Sequence, residues 1–271
     1  MLALSYDEHM DNVSKPKRSA VSQFGETAAN YRISKPHSQG ESLDVLALFV
    51  AKDNRHFKIG VDIATGAGFA AFASAAHTDL MLATDPTPAM LQQVHNIKAE
   101  REVKNVVTMM VIAENLPFAN NSIDLVTCRV APHHFLDVPL WLSEVQRILK
   151  PHGVFVLADT SAPEDQEIAT WMNALELKRD PSHIRNWTPS EWEEGINKTG
   201  LKVTDSALAK VNHECNDWTK RSNSTNQVAA EIQETIRNAS EQIKTTFGIE
   251  ETDDGKLTWY WDVSVLRAEK V

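Results

Sequence analysis

One aspartate and two glycines lie close together in a short segment, VDIATGAGFAA, which covers residues 61–71. Its apolar start is typical of a buried strand, and Phe69 begins a segment of helical composition. Gly66 and Gly68 lack a Cβ, so the backbone can turn tightly and its N–H groups can approach a ligand closely. The helix would direct its positive end toward that ligand and favour an anionic group. The segment therefore predicts a nucleotide-binding loop, with Asp62 four residues before Gly66.

A second carboxylate, Asp85, follows the next predicted strand, residues 80–84, about twenty residues beyond the glycines. An acidic side chain at that position can bind both hydroxyls of a ribose. The glycine loop and Asp85 fit a nicotinamide dinucleotide about as well as S-adenosylmethionine. These residues alone leave both cofactors open.

Three side chains near later strand ends could accept a proton from a substrate. His133 and His134 follow a predicted strand at 123–129, and Asp159 ends a predicted strand at 154–159. Ligands of open α/β sheets bind at the carboxyl ends of the strands, and histidine exchanges protons near neutral pH. We expect the general base among these three residues if the reaction needs one.

The composition limits the classes of partner. The chain has 271 residues, 42% of them hydrophobic, which is enough for one large α/β domain. A net charge of −10 argues against nucleic-acid binding. Cys128 and Cys215 are too few for a disulfide framework or a metal cluster, and the longest apolar run, residues 45–51, cannot span a bilayer. We expect a cytoplasmic protein with no metal, nucleic-acid or membrane partner, and we leave a homodimer open.

Strands and helices alternate through the middle of the chain. The predicted strands are 59–64, 80–84, 106–112, 123–129 and 154–159, and the predicted helices between them are 69–76, 89–100 and 139–149. This alternation predicts a parallel sheet with helices on both faces. The remaining predictions are a helical segment at 21–50 with a break at 34–40, helices at 164–178 and 190–198, a strand at 201–207, a polar helical region at 216–247 and a closing antiparallel strand at 257–266.

Two further segments distinguish between the cofactors. They are AENLPFANNSIDLVTCR at 113–129 and HHFLDVPLWLSEVQRILKPHGVFVLAD at 133–159. Together with the glycine loop and Asp85, they resemble the class I S-adenosylmethionine-dependent methyltransferases, in the group that includes the menaquinone/ubiquinone-biosynthesis C-methyltransferases. A weaker likeness extends through residues 23–31 and 178–192. The resemblance implies a doubly wound Rossmann-like α/β sheet of about seven strands with an N-terminal helical lid.

The resemblance also implies where S-adenosylmethionine binds. The cofactor residues would be a loop under its methionine part (Asp62, Ala64, Gly66, Gly68), a ribose ligand (Asp85), an adenine wall (Pro86, Met90, Ala113, Glu114), a residue near the methionine end (Arg129) and a lid (Phe24, Tyr31). The sequence departs from the family pattern at Ala64, where glycine is usual. It also departs at Ile112, where an aspartate often binds the adenine amino group, so backbone groups near Ala113 would take over that role.

The acceptor side is less well defined by the sequence. The resemblance and the break in the lid place His37, His183 and Arg185 near the methyl acceptor. Six tryptophans concentrate in the last third of the chain, which suggests a pocket for an apolar or aromatic metabolite. They are Trp171, Trp187, Trp192, Trp218, Trp259 and Trp261. We expect O- or C-methylation of a small molecule by direct displacement.

The predicted organisation is a flexible N-terminus at 1–20 and a single methyltransferase domain at 21–271. Its parts are a lid at 21–55, a cofactor-binding half at 56–160 and an acceptor-side half at 161–271 with the helical insertion near 216–247. Two alternatives remain. One is an enzyme of the same fold that binds S-adenosylmethionine and catalyses a cyclisation or rearrangement. The other is an NAD(P)-dependent oxidoreductase, which Asp62 disfavours because its carboxylate would lie near the diphosphate.

Overall fold

Five parallel strands form the first part of the sheet. The computed structural model describes residues 18–271, so most of the predicted flexible segment, residues 1–17, lies outside the described residues. The strands are β1 (Phe57–Ile63), β2 (Thr78–Thr84), β3 (Val106–Met109), β4 (Ile123–Arg129) and β5 (Leu149–Thr160). They lie in the order β3-β2-β1-β4-β5, and every neighbouring pair is parallel. The chain therefore reverses its direction of winding between β1 and β4, which is the doubly wound arrangement.

Three antiparallel additions complete the sheet: β6 (Leu201–Glu214), β7 (Glu250–Glu251) and β8 (Leu257–Lys270). β8 lies between β5 and β6 and runs antiparallel to both. The predicted sheet with its antiparallel strand is confirmed, and the described residues give eight strands because β7 adds a two-residue pairing to β8. β6 and β8 are longer than predicted because they pair with each other from Leu201–Lys270 to Glu214–Thr258.

Two strands of the parallel part differ from their predicted bounds. β3 was expected to reach residue 112 but ends at Met109, which pairs with Thr84, the last residue of β2. Without a neighbouring strand beyond that point, Ile112 leaves the sheet and is 61% exposed. β5 begins at Leu149 rather than residue 154, because Leu149 already pairs with Ile123 before a register shift.

The N-terminal segment forms the helices α1 (Ala20–Ile33), α2 (Lys35–Ser38) and α3 (Glu41–Ala51). The Ser19 hydroxyl caps α1 by accepting a hydrogen bond from the backbone N–H of Ser22. α3 buries Leu46 and Val50 against the sheet, in a cluster that includes Val154 of β5. α3 thus belongs to the core, whereas α1 and α2 lie over the carboxyl ends of the strands.

The helices α4 (Phe69–Ala75), α5 (Pro88–Glu100) and α6 (Val138–Ile148) connect the parallel strands. α6 begins where the Asp137 carboxylate accepts a hydrogen bond from the backbone N–H of Leu140. Its apolar face packs fully buried Trp141 and Val145 against Phe155 of β5. Burial of such side chains anchors the helix and the loop before it to the sheet.

The predicted helical region at 216–247 consists of three helices. The helices of the C-terminal third are α7 (Gln166–Arg179), α8 (Pro189–Lys198), α9 (Cys215–Arg221), α10 (Asn226–Arg237) and α11 (Glu241–Phe247). A second apolar cluster joins α7 to α9, α10 and α11 through Met172, Trp218, Ile232 and Phe247, together with Trp261 of β8. These helices therefore pack on the same end of the sheet as α1. No helix within residues 18–271 has the length and apolar character needed to cross a membrane.

Candidate active site

A cavity of about 640 Å³ opens at the carboxyl ends of the parallel strands, between the sheet and the N-terminal helices. It includes the point where β1 and β4 are neighbours, which is where doubly wound sheets bind ligands. Its volume is in the range of small-molecule sites. Residues predicted for the cofactor and found in its lining are Phe24, Tyr31, Asp62, Ala64, Gly66, Asp85, Pro86, Met90, Ala113, Glu114 and Arg129.

The glycine loop has a left-handed backbone at three positions. The φ angles are 51° at Ala64, 54° at Gly66 and 91° at Gly68. Gly68 is absent from the cavity lining among the described residues. Its hydrogen atoms point into the protein, since a Cβ at this position would lie 2.9 Å from Phe72 and 3.1 Å from Val94. Gly68 is therefore needed for the packing of α4 and α5, and Gly66 is the glycine that faces the cavity. Ala64 adopts a conformation in which alanine is strained and glycine is not.

Asp62 is a buried carboxylate at the bottom of the cavity. Its Oδ1 accepts a hydrogen bond from Thr127 Oγ1 at 2.6 Å, and its Oδ2 accepts one from Thr65 Oγ1 at 2.5 Å. Burial raises the pKa of Asp62 to about 6, although both hydroxyl hydrogen bonds oppose this shift. The hydrogen bonds hold the loop to β1 and β4, and a cationic ligand group nearby would favour the ionised carboxylate.

Asp85 connects the glycine loop to the start of α5. Its Oδ2 accepts a hydrogen bond from the backbone N–H of Gly66 at 2.9 Å, and its Oδ1 accepts one from Thr87 at 2.8 Å. Burial raises the pKa of Asp85. Each carboxylate oxygen can accept a further hydrogen bond, so the side chain can still bind a pair of ligand hydroxyls. The geometry is compatible with the ribose role predicted from the sequence.

Arg129 joins the end of β4 to the N-terminal helices. Its guanidinium donates to the backbone oxygen of His37 at 2.9 Å and to the hydroxyl of Ser42 at 3.1 and 3.3 Å. Burial lowers the pKa of Arg129 to about 10, which leaves the side chain charged at neutral pH. Glu114, on the opposite side of the cavity, accepts a hydrogen bond from the backbone N–H of Leu136 at 3.0 Å.

His133 and Asp159 form a buried pair. His133 Nδ1 lies 2.7 Å from Asp159 Oδ1, and the backbone N–H of His133 donates to Asp159 Oδ2 at 3.0 Å. Burial lowers the pKa of His133, but the Asp159 carboxylate, together with Glu176 and Asp180, outweighs this effect and the net pKa is raised. His133 lines the cavity, whereas Asp159 is fully buried behind it. Nε2 of His133 is therefore the nitrogen that can face a ligand.

The other two predicted base candidates differ from His133 in their surroundings. Asp159 is absent from the cavity lining among residues 18–271 and contacts His133 Nδ1. His134 does line the cavity, but burial and the neighbouring His133 lower its pKa to about 3. Its Nδ1 lies 3.1 Å from the carbonyl oxygen of Ser182, and its ring packs 5.0 Å from Phe24. The lowered pKa favours a neutral His134 ring, which packs against Phe24 of α1.

The predicted acceptor-side residues are only partly in place. His37 lines the cavity, with Nδ1 2.8 Å from the Ser34 hydroxyl, and burial lowers its pKa well below the usual value. His183 and Arg185 are absent from the lining in the described part of the chain. His183 lies behind His133 and contacts Asn173 through Nε2 at 3.0 Å. The Arg185 guanidinium points toward the surface and pairs with a carboxylate of α8 at 2.9 Å.

Comparison with known proteins agrees with this arrangement. The methyltransferase domain family matches residues 61–157. The uncharacterized methyltransferase YcgJ of Bacillus subtilis is 32% identical over 233 residues, which are 86% of this chain and 91% of that protein. The uncharacterized protein YafE of Escherichia coli is 33% identical over 199 residues, which are 73% of this chain and 94% of that protein. The crystal structure of YcgJ matches with a TM-score of 0.78 at 30% identity and covers 84% of this chain and 97% of its own.

The chain belongs to the class I S-adenosylmethionine-dependent methyltransferases. The family and the fold imply S-adenosylmethionine as the cofactor, and the polar groups at the strand ends are of the right kind. This methyltransferase offers a buried carboxylate at Asp85, a loop at Gly66 with open space on its cavity side, and the Asp62 carboxylate. Family membership does not favour the nicotinamide alternative.

The wall opposite the glycine loop contains polar residues that the sequence did not predict. They are Glu176 and Arg179 at the end of α7, His213 on β6 and Arg221 at the end of α9. Trp218 and Trp261 lie in the same wall, as the tryptophan-rich composition suggested. The other four tryptophans of that group are absent from the described lining. Arg179 lies in the family-like segment 178–192, but Glu176, His213 and Arg221 carry no local motif, so a single sequence offered no signal for these three.

Proposed function

We propose that this protein transfers the methyl group of S-adenosylmethionine to a small acceptor with an aromatic or apolar body, and that His133 accepts the proton which the acceptor loses. The observation that carries the proposal is the cavity itself. It joins the Asp85 and Gly66 loop on one side to the His133–Asp159 pair on the other. Cofactor binding and proton transfer can therefore occur in one enclosed space.

The cofactor would be held by residues at three strand ends. Asp85 would accept hydrogen bonds from the ribose hydroxyls, Gly66 would allow close approach of the loop, and Arg129 would lie near the methionine end. When bound, S-adenosylmethionine supplies a methyl group on a positively charged sulfur. The rings of Phe24 and Tyr31, 5.2 Å apart, would exclude water above it.

Proton removal would be the task of His133. Asp159 binds Nδ1, which fixes the ring orientation and leaves Nε2 facing the cavity. A histidine held in this way can accept a proton from an acceptor hydroxyl or an acidic C–H group as the methyl group arrives. The main contribution of the remaining residues would be alignment of the acceptor for in-line attack.

Calorimetric titration with S-adenosylhomocysteine and S-adenosylmethionine tests the cofactor half of the proposal. We expect micromolar binding of both, with NADH not bound. Asp85→Ala should weaken S-adenosylhomocysteine binding by about 1–3 kcal/mol, the cost of losing hydrogen bonds to a charged group. Asp79→Ala is the matched control. Asp79 lies near the start of β2, the strand that Asp85 follows, and its side chain is exposed.

Three results would contradict the proposal. Preference for NADH would contradict the cofactor, and parental affinity in Asp85→Ala would contradict the ribose position. Conversion of an acceptor with S-adenosylmethionine recovered intact would indicate a cyclisation or rearrangement in place of methyl transfer. Localisation to the cytoplasm and a monomeric or homodimeric state are separate expectations that these titrations leave aside.

A further inference from the structure

Two arginines converge on the acceptor side of the cavity from different helices. Arg179 is the last residue of α7, and Arg221 is the last residue of α9. Both line the cavity, and their side chains are only 11% and 9% exposed. Burial and the nearby Arg179 guanidinium lower the pKa of Arg221. Two cations are thus held close together in a site that largely excludes water, which is unfavourable without a compensating anion.

The carboxylates near this wall compensate the charge of Arg179 better than the charge of Arg221. Glu176 pairs with Arg179 at 3.2 Å, while its other oxygen accepts a hydrogen bond from Trp261 Nε1 at 2.8 Å. The carboxylate partner of Arg221 is Asp217, 3.6 Å away and 62% exposed, so water screens that pair. Among the described residues, Arg221 therefore has no ion pair with a buried carboxylate.

In the described part of the chain, the other polar groups that contact Arg221 are uncharged. Arg221 donates to the Ser34 hydroxyl at 3.3 Å and lies 3.3 Å from His213 Nδ1. Burial, Arg221 and Arg179 lower the pKa of His213 well below its usual value, so its ring is neutral. The Nε–H of Arg179 is buried and has no hydrogen-bond partner within residues 18–271. Asp180 is buried, accepts hydrogen bonds from Ser182, and joins Glu176 in raising the pKa of Arg179.

We propose that the methyl acceptor carries a carboxylate group, which Arg221 and Arg179 bind while its aromatic or apolar body packs against Trp218 and Trp261. A monoanionic carboxylate matches the one guanidinium of this wall that lacks a buried carboxylate partner, whereas a dianionic phosphate would exceed it. The Ser34 hydroxyl contacts both Arg221 and His37 Nδ1, and a series of ring contacts leads from His37 to the proposed base. Neighbouring ring centroids from His133 through His134, Phe24 and Tyr31 to His37 are 4.2, 5.0, 5.2 and 4.7 Å apart.

This inference rests on the proposed methyl transfer, because it describes the second substrate of the same cavity. Its test is calorimetric titration of the protein saturated with S-adenosylhomocysteine. The probes are benzoate and 3-phenylpropionate, and each is compared with its uncharged amide. Phenyl phosphate is the dianionic probe for comparison. We expect at least one carboxylate to bind about tenfold or more tightly than its amide and more tightly than phenyl phosphate.

Variants separate the acceptor site from the cofactor site. Arg221→Gln should abolish the preference for the carboxylate, and Arg221→Lys should retain part of it. Both should bind S-adenosylhomocysteine within about twofold of the parent. Arg185→Gln is the matched control, since Arg185 pairs with Glu191 away from the cavity and its loss should leave the preference unchanged.

Equal binding of carboxylate and amide by the parent, for both probe pairs, would overturn the inference without requiring any variant to fold. Tighter binding of phenyl phosphate would replace the carboxylate by a phosphate. Loss of S-adenosylhomocysteine affinity in a folded Arg221→Gln variant would mean that Arg221 binds the carboxylate of the cofactor instead. Failure of the parent to bind S-adenosylhomocysteine at all would instead refute the proposed function, so the two failures are distinct.

Discussion

Replacement of Asp159 by asparagine tests the central electrostatic feature of the site. In the parent protein, Asp159 accepts hydrogen bonds from His133 Nδ1 at 2.7 Å and from the backbone N–H of the same residue at 3.0 Å. Asparagine has one oxygen in place of two and no charge. The side chain of the variant can therefore accept at most one of these two hydrogen bonds. The Asp159 carboxylate also no longer opposes the lowering of the His133 pKa by burial.

The size and the pH dependence of the effect follow from this geometry. Loss of a buried hydrogen bond to a charged partner costs about 1.5–3 kcal/mol. A histidine with a raised pKa contributes stability that is fully present below the unfolded pKa of about 6.5 and is lost as pH rises through the folded pKa. The destabilisation by Asp159→Asn should therefore be larger at about pH 6 than at about pH 9, where neutral His133 still donates its Nδ1–H.

Urea unfolding at both pH values measures the difference in free energy, and proton NMR of the His133 ring measures its pKa directly. The His133 pKa is expected to lie above 6.5 in the parent and below 6.5 in Asp159→Asn. Asp79→Asn is the matched control, because the His56–Asp79 pair has the same 2.7 Å separation but both side chains are exposed. That control should cost at most about 1 kcal/mol. Destabilisation by Asp159→Asn that grows with pH, or an unchanged His133 pKa, would refute the reasoning.

Two further predictions concern the loop under the cofactor. Ala64→Gly should raise the free energy of unfolding by up to about 1 kcal/mol because it relieves a left-handed alanine, whereas Gly66→Ala, at a φ of 54°, should lower it by a similar amount. Denaturant unfolding checks both, and changes in the same direction would contradict the strain argument. Asp62, with a pKa raised from 3.8 to about 6, keeps its proton in the folded state over a pH range where the unfolded chain has lost it. Stability should therefore fall by up to about 3 kcal/mol as pH rises through that range. Carboxyl-carbon NMR should give a titration midpoint of Asp62 near 6, and the Asp62→Asn variant identifies its signal. A midpoint at the ordinary value of an aspartate would show that burial does not raise the pKa of Asp62.

The parallel part of the fold was predictable because its signals are local. Apolar runs ending at Asp62 and Asp85, with a glycine loop between them, identify two strands and their connection without any tertiary information. The lengths of the outer strands were not predictable in the same way. β3 ends where its neighbour β2 ends, and β6 extends as far as β8 can pair with it, so both bounds depend on partners distant in the sequence.

The same distinction applies to the site. Residues for the cofactor side follow strand ends, and the sheet brings those ends together, so their sequence positions predicted their proximity. The cavity wall around Arg179 and Arg221 is different, because it forms only when α7 and α9 pack together through Met172 and Trp218. Neither arginine has a neighbouring residue in the sequence that marks it as a ligand, and each ends a helix, where a basic residue is common for other reasons.

The proposed base shows how much of the site's chemistry can be inferred from the positions of residues relative to the strand ends. His133 follows β4 and Asp159 lies near the end of the neighbouring parallel strand β5, and the pairing of Arg129 with Ala158 fixes the two strand ends side by side. Their proximity could thus be inferred from the sequence, but the division of labour between them could not. It depends on how deeply each residue is buried. Asp159 is fully buried and, in the proposed function, acts only through His133. His134, one residue further along, has no hydrogen bond to a carboxylate within residues 18–271 and stays neutral. In the proposed function, one buried carboxylate therefore selects which of two adjacent histidines accepts the proton.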